Sequence, residues 1–246
     1  VDEPGFPDTN PVLFLDSRKQ LWLVWNTILA NRWETGLLRY KIARRYPGLT
    51  APPKWDVSEP LLFVPRNFAE KAKQAQHSAE KASDKYFSRM GWMGRNHPLE
   101  LPSGRILVPL YSDGYDFSLV AITDDHGKTW TTSEPIVSLG GVQPSLVRRK
   151  NGVIAAYMRN NGPPPRRVML AESKDDGVSW SPVIHTDIPN PGASMEVVAL
   201  REGLWALIYN DTERGRHSLQ VSLSEDEGKT WKWRRHLERD TAVQNR

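Results

Sequence analysis

Ser224-Glu225-Asp226-Glu227-Gly228-Lys229-Thr230-Trp231 decides the fold, because the chain carries the same octamer three times. The other copies are Ser173-Lys174-Asp175-Asp176-Gly177-Val178-Ser179-Trp180 and Thr123-Asp124-Asp125-His126-Gly127-Lys128-Thr129-Trp130. Each reads Ser or Thr, any residue, Asp, any residue, Gly, any residue, Ser or Thr, then Trp. The tryptophans stand 50 and 51 positions apart, the spacing of a true internal repeat. Chemically the octamer is a turn. Asp and Ser/Thr side chains bond nearby backbone N–H groups, Gly takes a conformation that others reach only with strain, and Trp is an apolar anchor. Each copy follows an alternating strand-like run such as Ser218 to Leu223. Each octamer is therefore read as a turn late in a four-stranded unit.

Working outward, Val1 to Asn10 is an irregular lead-in with Pro4, Gly5 and Pro7. Pro11 to Leu15 and Leu21 to Trp25 flank a turn at Asp16-Ser17, and Leu37 to Ala43 supplies a third strand. Trp55 to Pro60 closes a first unit that lacks the octamer. Three further units run from Arg95 to Ile136, Gln143 to Val183 and Glu196 to about His236. Gly104, Asn151-Gly152 and Glu202-Gly203 mark their first hairpins. Pro98, Pro144 and Pro191, spaced 46 and 47 apart, are taken as equivalent. Four repeats of this length suit β-propeller blades, so the fold is expected to be all-β, one domain over residues 1–246. Asn67 to Lys85 interrupts the pattern. It is rich in Ala, Lys, Glu and Gln and has no Pro or Gly, which predicts an inserted helix of at least three turns. That helix lies over the propeller surface, or alternatively forms a lid on a cleft.

The octamers resemble the Asp-boxes (BNR repeats) of the sialidase, or neuraminidase, superfamily. The likeness extends to Arg95-Asn96-His97-Pro98-Leu99, Gln143-Pro144-Ser145-Leu146, Tyr157-Met158-Arg159-Asn160-Asn161-Gly162 and Tyr209-Asn210-Asp211-Thr212, and is strongest to a bacterial predicted-neuraminidase branch. It covers about Asn10 to Leu237. The resemblance implies a six-bladed propeller of four-stranded antiparallel blades, so four visible blades read as a propeller incomplete at both ends. It also implies that the octamers are structural and lie on the rim, away from the centre.

Composition narrows the function. The chain has 246 residues, no Cys and a formal charge of +4, with acidic and basic residues interspersed. Disulfides and thiolate metal sites are excluded, and no phosphate-binding loop or convincing metal-ligand spacing occurs. No cofactor, no nucleic-acid partner and no membrane span is expected. No signal peptide is visible. The expected partner is an acidic oligosaccharide or polysaccharide, with a periplasmic or secreted setting slightly favoured.

The resemblance also says where a site forms: at the start of each blade's first strand and just after its second. Those positions hold Asn10; Arg95, Asn96 and His97; Tyr111, Asp113 and Tyr115; Gln143; Arg159 and Asn160; Glu196; and Asn210 with Asp211. Arg95, His97, Tyr111, Arg159 and Glu196 are the catalytic candidates. Asn10, Asn96, Asp113, Tyr115, Gln143, Asn160 and Asn210 are the substrate-binding candidates. An arginine fork grips a carboxylate with two parallel bonds, and sialic and uronic acids both carry one. A sialidase uses three such arginines, a tyrosine nucleophile activated by a glutamate, and an aspartic acid. A histidine beside an arginine and near a tyrosine also suits acid/base work, as in lyases that cleave at uronic acids. Blander roles compete. Arg159 can be an ion pair at a blade junction, Arg95 can pair with Glu100, and His97 can be structural. His126, His217 and His236 read as exposed, while Trp33 and Trp92 either stack on sugars or pack between blades. The function expected is exo-acting cleavage of an acidic glycan by a sialidase-like enzyme. The alternatives are a uronate-directed lyase and a non-catalytic glycan-binding propeller.

Overall fold

A computed structural model describes residues 4–46, 48–73, 84, 86–200 and 203–240. They form four antiparallel sheets, three of them meanders of strands consecutive in sequence and one whose innermost strand is split into two segments that pair the same neighbour. The first blade is β1 (Asp8–Leu15), β2 (Leu21–Ile28), β3 (Gly36–Ala43) and β4 (Val57–Pro60). The second is β5 (Met93–Gly94), β6 (Leu99–Glu100), β7 (Ile106–Ser112), β8 (Phe117–Thr123) and β9 (Thr131–Thr132). The third is β10 (Gly141–Arg148), β11 (Ile154–Asn160), β12 (Arg167–Ser173) and β13 (Ile184–Pro189). The fourth is β14 (Glu196–Ala199), β15 (Trp205–Tyr209), β16 (Ser218–Ser224) and β17 (Trp233–Arg239). The fold is the sialidase-like propeller, with four blades in this chain.

Side-chain alternation explains the packing, since neighbouring residues of a strand face opposite sides of the sheet. Ile106, Val108 and Leu110 of β7 pack back against Trp22, Val24 and Tyr40 of the first blade. Leu107 instead joins Leu146, Ile154 and Met158 of the third. Val147, Ala155 and Tyr157 pack against Val197, Trp205 and Leu207 of the fourth. A strand buried on both faces reads as a continuous apolar run, and β7 is buried along its whole length.

The three octamers have one geometry. Each joins the third strand of its blade to the fourth. In the last copy Gly228 N–H donates to Ser224 Oγ at 2.9 Å, and Thr230 N–H to Asp226 Oδ1 at 2.8 Å. The same bonds recur at Gly127–Thr123 and Thr129–Asp125, and at Gly177–Ser173 and Ser179–Asp175. Gly127, Gly177 and Gly228 have φ of +84°, +85° and +83°. Trp130, Trp180 and Trp231 are half-buried, less than their anchoring role predicts. Trp130 meets Trp22, and Trp231 meets Tyr157, edge to face across the junction with the preceding blade.

The innermost strands are interrupted. The β1–β2 register shifts between Thr9 and Val12, and the β10–β11 register between Val142 and Ser145. In both, a residue with positive φ precedes a proline: Asn10 (+52°) before Pro11, and Gln143 (+54°) before Pro144. Proline cannot donate to the ladder, so the strand bulges and re-aims its side chains. In the second blade the break falls between β5 and β6, which both pair β7. Pro191 is not the fourth-blade equivalent. It lies in the loop before β14, and register puts Met195 where Pro11 and Pro144 stand.

Helix α1 (Phe68–Ala72) opens the predicted insertion, while residues 74–83 and 85 lie outside the described ones. Phe68 packs against Trp92, Tyr115 and Phe117. Asn67 and Lys71 bond Glu134. Trp92 is thus core, not a sugar platform. Glu202 also lies outside the described residues, whereas Gly203 makes its turn at φ +80°.

Candidate functional site

The bulges gather polar side chains at the end of the propeller opposite the octamers. Asn10 Nδ2 donates to the Tyr111 hydroxyl at 3.2 Å, and its Oδ1 accepts from Arg95 Nη1 at 2.9 Å. Arg95 Nε donates to Ser194 Oγ at 3.0 Å, so one guanidinium spans the first and fourth blades. Gln143 lies beside Tyr111, and its Oε1 is buried with no protein partner. Burial pushes the Tyr111 phenol up in pKa, only partly offset by the Gln143 and Asn10 side chains and the Arg95 charge.

Arg159 leaves β11 opposite Val142, held by the Val142–Arg159 pair of the ladder. Its Nη2 donates to Asn161 Oδ1 at 3.2 Å, and no carboxylate ion-pairs with it among the described residues. Desolvation lowers its pKa, and so do the charges of Arg216 and Arg95, while Asp113 and Tyr111 act the other way. Asp113 is raised by desolvation and by Asp116 and Glu34, against the pull of Arg159. Arg216 was not legible in the sequence. It precedes β16 in an exposed run and donates from Nη2 to Gly192 O at 2.9 Å. Its signal was its place on the same loop as Asn210, between the second and third strands of its blade.

Beside Arg95 opens a cavity of about 580 Å³. Arg95, His97 and Glu196 line its polar side, and Pro11, Val198, Ile208 and Leu219 its apolar side. Glu196 is the first residue of β14, and its Oε1 accepts from His97 Nδ1 at 2.8 Å and from His97 N–H at 3.1 Å.

The structure thus brings Asn10, Arg95, His97, Tyr111, Gln143, Arg159 and Glu196 to one end, with Asp113 at its edge. Four other candidates are spent inside the protein. Asn96 is buried and donates to Gln143 O and Met195 O, clasping three blades. Tyr115 is fully buried in the aromatic cluster around Phe68. Asn160 bonds Pro165 O and Gly162 N, and Asn210 bonds Ser218 O, so both hold their own loops. Glu100 does not pair with Arg95; it accepts from Ser17 N–H and Oγ. His126 is not exposed, since its ring lies 3.4 Å from the buried Asp16 carboxylate. Among the described residues, no group of three His, Asp or Glu side chains could hold a metal, and no helix is long and apolar enough to cross a membrane.

Comparison with known proteins places the fold. The profile of the BNR repeat-like domain family matches residues 1–244. Human Sialidase-4 is 30% identical over an alignment of 105 residues that covers 37% of this chain and 22% of that protein. Among solved structures, the Hadza microbial sialidase Hz136 superposes with a TM-score of 0.70 at 15% identity, over 96% of this chain and 46% of that one. The intramolecular trans-sialidase from Ruminococcus gnavus superposes with a TM-score of 0.69 at 13% identity, over 95% of this chain and 69% of that one. The chain therefore spans less than half of the first two relatives. It belongs to the BNR repeat-like domain family and has the sialidase-like propeller fold.

Proposed function

We propose that this propeller end binds the carboxylate of an acidic sugar, and that the chain serves exo-acting cleavage of a sialic or uronic acid-containing glycan. One observation carries the reading. Arg95 and Arg159, with Arg216 beside Arg159, share a site without a carboxylate ion-paired to any of them among the described residues. Clustered guanidinium groups repel one another and lose hydration, so such a cluster is best satisfied by an anion that arrives as ligand. A pyranose carboxylate fits, because the planar fork takes it with two parallel bonds. Tyr111 stays protonated through burial, and so acts as a hydrogen-bond donor to the sugar rather than as a phenolate nucleophile. The neighbouring Asn10 amide holds it in place.

The test is calorimetric titration with N-acetylneuraminic acid, glucuronic acid and galactose, together with assays of sugar release from the corresponding glycosides. Binding of an acid but not of galactose, lost in Arg159→Lys although the charge is kept, is the expected result. Equal binding of galactose, or unchanged affinity in Arg159→Lys, would remove the carboxylate site. Acid binding without turnover would assign a glycan-binding module. A product with new ultraviolet absorbance from an unsaturated sugar would assign elimination.

A further inference from the structure

We propose that His97 is the proton-transfer residue of this site, its ring fixed by Glu196 so that Nε2 faces the bound glycoside; this rests on the reading of the site as one that cleaves acidic glycosides. The geometry is that of a positioned acid/base. One carboxylate oxygen takes both the backbone N–H and Nδ1 of His97, at 3.1 and 2.8 Å. Backbone and ring are therefore fixed together, by a residue 99 positions away on another blade. The bond to Glu196 keeps the proton on Nδ1, which makes Nε2 the exchanging nitrogen. Nε2 has no protein partner among the described residues, and the side chain is 59% exposed beside the cavity. Glu196 and Arg95 are the charged groups facing it; the other cavity residues are uncharged. The Glu196 bond raises the His97 pKa, against a smaller opposing effect of burial.

His97 is also placed for a leaving group. Arg95 is two residues away on the same segment, and Val198, Ile208 and Leu219 form the apolar wall beyond. A sugar gripped through its carboxylate at the arginines presents its glycosidic oxygen to the next part of the cavity. There the imidazolium gives its Nε2 proton to that oxygen as the C–O bond breaks, the bond pair passing to oxygen. Water then adds through its oxygen to the anomeric carbon, and its released proton returns to Nε2. One water is consumed, two sugars are released, and the histidine is restored. Glu196 touches no substrate in this step; it is a positioning residue.

The experiment uses the full chain with four glycosides: N-acetylneuraminic acid and glucuronic acid, each joined to 4-methylumbelliferone or to a sugar. His97→Gln should slow release of the sugar leaving group by roughly 10²–10⁴-fold, the worth of general acid catalysis, and release of the aryl group by less than about tenfold. Activity should fall as pH rises through the His97 pKa, and Glu196→Gln should move that limb to lower pH. Nuclear magnetic resonance titration of the His97 ring, in the parent and in Glu196→Gln, must show the same downward displacement; the parent measurement needs no variant to fold. Equal losses for both leaving groups, or an unmoved alkaline limb in Glu196→Gln, would overturn the assignment. Overturned in that way while Arg159→Lys still abolishes acid binding, it would leave the carboxylate site standing. No turnover of any of the four glycosides by the parent would defeat this assignment and the cleavage reading together, while acid binding lost in Arg159→Lys would still keep the carboxylate site.

Discussion

Arg95 and Asn10 meet across 2.9 Å although 85 residues separate them in sequence. An amide of the first blade thereby aims a guanidinium of the second, and the same amide holds Tyr111. Asn10 can do this because its backbone sits at φ +52°, a conformation asparagine tolerates better than most residues. Asn10→Gly should keep the backbone but free Arg95, weakening acidic-sugar binding with little change in melting temperature. Asn10→Ala should lose the same affinity and also up to about 1 kcal/mol of stability, because Ala lacks the local side-chain bonding that eases asparagine in the left-handed region. Calorimetric titration and thermal melts on the two variants separate the effects. Equal melting temperatures for Gly and Ala would show the backbone to be unstrained.

Gly127 shows how an octamer joins one blade to the blade before it. A Cβ built there would lie 2.7 Å from Trp22 Cη2, at φ +84°. Gly104, at φ +86°, has its nearest neighbour 3.8 Å away. Gly127→Ala should therefore cost the backbone strain plus overpacking, about 2–5 kcal/mol together, and Gly104→Ala only the strain, about 1–2 kcal/mol. Urea unfolding should show the larger fall in midpoint for Gly127→Ala at unchanged slope. Similar midpoints would mean that Trp22 yields freely.

These two glycines illustrate what the sequence made legible. The octamers specify local bonds among Ser/Thr, Asp and Gly, so three copies at a fixed spacing announce the blades. The alternation of Ser218 to Leu223 shows in the burial of β16, where every second residue is buried. The bulges at Asn10-Pro11 and Gln143-Pro144, which turn side chains to the axis, were not read from the sequence, because a proline alone does not say whether its strand breaks. The losses have physical causes as well. Tyr115 follows a second strand, as site residues do, but its ring found an aromatic cluster with Phe68 and Trp92. Asn160 and Asn210 sit where a ligand could be met, yet loop backbone groups needed partners and took their amides. Arg216 looked like solvated charge because no strand pattern fixes its direction.

The octamer carboxylates should make the fold acid-sensitive. Desolvation works to raise the Asp125 pKa, but bonds from Thr129, Thr123 and Lys128 outweigh it and hold it at about 2. Asp175 is lowered in the same way against desolvation, and Asp226 chiefly by the Thr230 hydroxyl. A carboxylate whose folded pKa lies below its unfolded value, about 3.9, stabilises fully above that value and loses its contribution as pH falls toward the folded one. The urea midpoint should therefore drop as pH falls from about 4 toward 2, and drop less in a triple variant carrying Asp125→Asn, Asp175→Asn and Asp226→Asn. Parallel profiles for parent and variant would assign the acid loss to other groups.

Arg216 gives the sharpest test of the arginine cluster, because it lies beside Arg159 without being part of the same blade. Its charge lowers the Arg159 pKa, a repulsion that no carboxylate ion-paired to Arg159 relieves. That repulsion disfavours the free protein, and an anion shared by the two groups would relieve it. Arg216→Gln should then weaken binding of an acidic sugar by about 1.5–3 kcal/mol, the worth of a hydrogen bond to a charged group. That is roughly ten- to a hundredfold in Kd. The exposed substitution should change stability without ligand by no more than about 0.5 kcal/mol. With Arg159→Gln it should form a non-additive pair, since each arginine is worth most when the other has already drawn the carboxylate in. Calorimetric titration of the four members of that cycle with the acid that binds best measures the coupling. If Arg216→Gln left the affinity unchanged, Arg216 would be a loop residue held by Gly192, and the carboxylate would be shared by Arg95 and Arg159 alone.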